Sequence, residues 1–145
     1  MTDAKLLKWV PSPELPERPA SLIDLNWQAG HQRLIATVTY ATDRSEGDAS
    51  AILIFEGAFS FAVFEENMDL IGEHSVFVPL ETPYPYSGSW PYLEVLQSTW
   101  VEKLTHEGGA WTPSHFRHFV ITSRNGHVHI ACLQQCEPTC VISID

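Results

Sequence analysis

Residues 116–133 read F-R-H-F-V-I-T-S-R-N-G-H-V-H-I-A-C-L, with Asn125-Gly126 between two runs of alternating character. Asn-Gly supplies the two positive-φ positions that a type I′ turn demands, so the stretch predicts a β-hairpin. With those two residues as the turn, Arg124 faces His127, Ser123 faces Val128, Ile121 faces Ile130 and Phe119 faces Cys132. One face then carries Phe119, Ile121, Val128, Ile130 and Cys132. The other carries His118, Thr122, Arg124, His127 and His129 among Val120, Ala131 and Leu133. Nothing equally legible marks an active site.

Downstream of the hairpin, Pro138 bars regular structure and residues 141–144 are expected to add an edge strand. Upstream, Thr99-x-x-Glu102 has capping-box spacing, and Trp100, Val101 and Leu104 fall on one helical face, with Gly108-Gly109 as the stop. Residues 93–96 fit either an extension of that helix or a short strand. Residues 81–92, E-T-P-Y-P-Y-S-G-S-W-P-Y, exclude regular structure through Pro83, Pro85, Gly88 and Pro91 while offering large aromatic surfaces. They read as a rigid loop, either folded over the core or presented for recognition.

Further toward the N-terminus, Leu34, Ala36, Val38 and Tyr40 alternate with Arg33, Ile35, Thr37 and Thr39, the pattern of a strand with one buried face. Residues 21–27, 51–55 and 75–80 are further strand candidates. Gly57 interrupts the apolar series before Phe59, Phe61 and Val63 resume it on alternate positions, which suggests a tight turn or a bulge. Residues 1–20 contain Pro11, Pro13, Pro16 and Pro19, so neither helix nor central strand can run through them. They are expected to form a proline-rich arm, with Leu6, Leu7, Trp9 and Val10 packing on the body, residues 21–145, which forms one domain.

The chain of 145 residues can bury about two thirds of its unfolded surface in one core. Its 8 Lys plus Arg against 18 Asp plus Glu leave a formal net charge of -10, which repels phosphate and anionic lipid. Nucleic acid and membrane surfaces are therefore poor partners, whereas a basic protein would be drawn in. No apolar run is long enough for a signal peptide or a membrane span, and three cysteines is an odd number, so a cytoplasmic protein is expected.

Three chemistries deserve weighing. His127 and His129 lie near Cys136 and Cys140, and imidazoles with thiolates bind zinc; against this, Cys132 points to the opposite face and Pro138 interrupts the cysteine series. His118 would serve as a general base only with a nucleophile and an orienting group beside it, and no G-x-S-x-G, phosphate loop or H-E-x-x-H supplies them. Glu56, Glu65, Glu66, Asp69 and Glu73 could pair for hydrolysis, but a solvated loop explains them more simply.

F-E-G-A-F-S-F at residues 55–61, Q-S-T-W-V at 97–101 and H-F-V-I-T-S-R-N-G-H-V-H-I-A at 118–131 resemble a group of small bacterial proteins, some similar to immunity proteins of polymorphic-toxin systems. The resemblance implies a compact α+β domain without enzymatic activity that binds and blocks a cognate toxin, with 93–96 as strand and 99–106 as helix. The expected fold is thus α+β, an antiparallel sheet with one short helix packed through Trp100 and Leu104. The expected function is a non-catalytic, cofactor-free protein-binding domain whose surface combines Glu65, Glu66 and Asp69 with Tyr84, Tyr86 and Trp90. A small-molecule site or hydrolase near His118, and a zinc protein through His127, His129, Cys136 and Cys140, are the alternatives.

Overall fold

The computed structural model describes residues 5–16, 18–40, 49–64, 91–108, 111–124 and 126–144. The strands are β1 (Lys5–Lys8), β2 (Leu22–Gln28), β3 (Arg33–Tyr40), β4 (Ala49–Glu56), β5 (Ala58–Phe64), β6 (Tyr92–Leu96), β7 (Phe116–Ser123), β8 (Gly126–Leu133) and β9 (Thr139–Ile144). A helix, α1 (Thr99–Gly108), follows β6, and short 3-10 turns occupy Ala29–His31 and Pro113–His115. The candidate strand at 75–80 lies outside the described residues.

The strands form two antiparallel sheets, one ordered β1-β6-β7-β8-β5 and the other β2-β3-β4-β9. One sheet was expected; two are found, because the chain changes sheet at Gly57 between β4 and β5. Gly57 has φ +79, a left-handed conformation open to glycine at no steric cost. The Gly57 and Ala58 amides both donate to the Gln32 carbonyl at 2.9 Å, and Leu133 N–H donates to Gly57 O at 3.0 Å, so the crossing is tied to both sheets.

The sheets face each other through the residues that alternation assigns inward. Leu34, Val38, Leu53 and Phe55 on one meet Phe119, Ile121, Ile130 and Cys132 on the other, all but fully buried. Tyr40 and Tyr92 cross the core to share a short hydroxyl–hydroxyl hydrogen bond. The proline-rich segment contributes β1, an edge strand placed before the first proline and paired with β6. Trp9 then turns inward against Phe119 at 4.7 Å and Phe55 at 5.8 Å between ring centroids.

Three local expectations are corrected. β7 and β8 pair antiparallel, but Ser123 faces Gly126, Ile121 faces Val128 and Phe119 faces Ile130, two positions from the register expected. Asn125 lies outside the described residues; the faces are unchanged because the side-chain period of a strand is 2. Second, Phe59 leaves the face of Phe61. A register shift between Ala58 and Ser60 turns it outward against Phe116, 4.9 Å between centroids. Third, Ser98 rather than Thr99 caps α1, its Oγ accepting the Val101 N–H at 3.1 Å.

Helix α1 covers the outer face of the five-stranded sheet. Val101, with Trp100 and Leu104, packs on Phe116, Ala131 and Leu133. The described residues thus make an α+β arrangement of helix, sheet and sheet, and the helix's first turn stands over the His118 side of β7.

Candidate functional site

β6 ends at Leu96, Gln97 takes φ 55, and Ser98 opens α1. A left-handed non-glycine residue is uncommon, and here it reverses the chain tightly enough to place Ser98 beneath the helix. Ser98, 7 % exposed, reaches His118 on β7: its Oγ lies 2.7 Å from His118 Nδ1. His118 Nε2 in turn lies 2.8 Å from Nδ1 of His129 on β8, and both imidazoles are buried at 3 % and 0 % exposure. Trp100 roofs the pair, its ring centroid 4.9 Å from that of His118 and 6.0 Å from that of His129. A serine and two histidines from three elements therefore form one hydrogen-bonded series inside the protein. Buried polar groups so joined fix one another's orientation.

The series opens on a pocket of about 370 Å³ at the junction of β6, α1 and β7, bordered by Ser98, His118, Glu94, Glu102, Arg117 and Gln134. Leu96, Val101, Pro113 and Phe116 give it apolar wall as well. A neighbouring hollow shares Glu102 and Pro113 with it and continues past Thr105 to Trp111.

Arg117 frames the pocket without offering it a free fork. It donates to both Glu94 carboxylate oxygens at 2.9 and 3.0 Å, and through Nη1 to the Cys136 carbonyl and to Glu137, each at 2.9 Å. The hydrogen bond with Glu94 is the largest cause holding its guanidinium above the ordinary range. The cluster ties β6, β7 and the turn after β8 together and leaves Glu102 as the lining carboxylate outside it.

The proposed zinc ligands do not converge. His127 and His129 lie on the helix-side face of β8, while Cys136 belongs to the core between the sheets and Cys140 stands on β9 beside Leu53. Among the described residues no group of three or more His, Cys, Asp and Glu could hold a metal ion. Cys132 and Cys136 are free thiols that hydrogen-bond each other. That bond raises Cys132, already raised by burial, and lowers Cys136.

Glu65, Glu66, Asp69, Tyr84, Tyr86 and Trp90, the expected partner surface, all lie outside the described residues. Sequence reasoning placed His118 as a base without a nucleophile. The nucleophile-type neighbour, Ser98, is 20 residues away and comes into reach only through the β6–β7 pairing that sets Val95 opposite His118. The local signal was the serine one position before the presumed cap. No helix among the described residues is long and apolar enough to cross a membrane. No protein-family model, curated protein or solved structure matches this chain.

Proposed function

We propose that the protein binds a small, largely uncharged polar molecule in the pocket between β6, α1 and β7. The observation that carries this reading is the convergence of Ser98, His118, Glu102 and Gln134 on one concavity of about 370 Å³, a size and a mixture of apolar wall and few polar groups that suit small ligands. Glu94 and Arg117 neutralise each other at its rim, and Glu102 is the further charge on the lining, so nothing there selects an anion. Trp100, its ring tilted against that of His118 at 4.9 Å, gives an intrinsic reporter. Titration with small amides, esters and alcohols, followed by tryptophan fluorescence and ligand-observed NMR, is expected to find saturable binders. Gln134→Trp, which fills the pocket from an exposed position, abolishes their binding without lowering the melting temperature. Binding that survives this variant would place the ligand elsewhere.

A second reading, a non-catalytic domain for a basic protein partner such as a toxin, draws on the outer face of the four-stranded sheet. There Ile52 and its cross-strand neighbour Val141 are 37 % and 56 % exposed, an apolar pair that a partner would cover. The formal net charge of -10 favours a basic one. Affinity capture at low and high salt is expected to retain a basic protein that salt releases and that Ile52→Lys fails to hold. Retention unchanged by that substitution counts against this face.

A further inference from the structure

Resting on the pocket reading above, we propose that Ser98 is the nucleophile of an acyl-transfer site that hydrolyses small esters, with His118 as its general base and His129 as the residue positioning His118. Four features of one place support it. A strand runs into a tight left-handed turn at Gln97 and then a helix, which fixes Ser98 at the end of a rigid element rather than on a mobile loop. Its Oγ is 2.7 Å from an imidazole nitrogen, the contact a base needs to take a hydroxyl proton. The far nitrogen of that imidazole is 2.8 Å from a second histidine, the orienting third member. Both Ser98 and His118 border the pocket.

Of the two proton orders these contacts allow, the reaction uses one. Ser98 Oγ–H donates to His118 Nδ1, and His118 Nε2–H donates to His129 Nδ1. In the reaction, Oγ attacks the ester carbonyl carbon as its proton passes to His118 Nδ1. The bond from the carbonyl carbon to the alkoxy oxygen then breaks, and the alcohol leaves with the proton from His118. Water attacks the acyl-serine and gives one proton to His118, which returns it to Ser98 as the carboxylic acid departs. Ester and water become acid and alcohol, with no other reactant. The pocket with its neighbouring hollow past Thr105 gives the acyl and alcohol groups separate walls.

The test is labelling with a fluorophosphonate, read by intact mass and peptide mapping, together with hydrolysis of 4-nitrophenyl butyrate. The expected result is a single adduct on Ser98 and hydrolysis roughly 100-fold faster than that of Ser98→Asn. Asparagine caps helices as well as serine does, so that variant keeps α1 in place and removes only the nucleophile. His129→Gln, which keeps an acceptor, retains labelling, whereas His129→Leu slows it at least about tenfold. Saturable binding of butyramide, seen in Trp100 fluorescence, without an adduct on Ser98 overturns the nucleophile and leaves the pocket standing. Absence of both overturns the two together, and an adduct that persists in Ser98→Asn overturns the assignment of Ser98.

Discussion

Tyr40 and Tyr92 meet hydroxyl to hydroxyl where the two sheets face each other, and Arg18 lies over the Tyr40 ring at 5.4 Å. Burial is the largest cause raising both phenols above their ordinary value of 10.0. The folded chain therefore keeps these protons to higher pH than the unfolded chain does. Their contribution to stability is whole below about pH 10 and is lost as pH rises beyond it, so chemical-denaturation midpoints should fall above that pH. Tyr40→Phe or Tyr92→Phe alone leaves one buried hydroxyl without its partner and should cost about 1–3 kcal/mol, whereas the double replacement should cost less than the sum. At Gly57 the constraint is backbone. An added Cβ would meet Leu133 Cδ1 at 3.5 Å, ordinary contact, but the φ of +79 penalises any side chain. Gly57→Ala is expected to lower stability by about 1–2 kcal/mol, measured by urea denaturation with an unchanged m-value.

Among the elements, β1 has the least local reason to form. Among the described residues its four, K-L-L-K, pair only with β6, and what anchors the segment is Trp9 beyond its end, wedged among Phe55, Tyr92 and Phe119. Trp9→Ala should therefore cost about 3 kcal/mol, and hydrogen exchange at the β1–β6 amides should accelerate more than at β7–β8. An effect confined to global stability, with β1 protection changing in step with the rest, would contradict this anchoring. Helix α1 is built the other way, from strong local signals. Ser98 satisfies its Val101 amide, and Thr105 Oγ1 folds back to donate to the Val101 carbonyl at 2.9 Å. Its apolar edge then needs only Phe116 and Ala131 beneath it.

For the whole molecule, a formal net charge of -10 means that compaction works against self-repulsion. Raising sodium chloride from about 10 mM to about 150 mM, which shortens the screening length to roughly 8 Å, should raise the melting temperature. A flat or falling response would mean that paired charges such as the Arg117–Glu94 bridge outweigh the repulsion. Strand faces were legible in the sequence because alternation is a local property. Leu34, Ala36, Val38 and Tyr40 point inward as their spacing requires, and β7 and β8 keep their predicted faces even though their register differs by two residues. The helix at α1 and the last edge strand at β9 were legible from other local signals, capping-box spacing and the stretch after Pro138, whereas periodicity left the residues of β6 open between helix and strand. Pairing between distant segments was not legible, since no local preference tells a strand which sheet it will join. Only the tertiary structure decided that the chain changes sheet at Gly57, and that Ser98, His118 and His129 would be brought within hydrogen-bonding distance on three different elements.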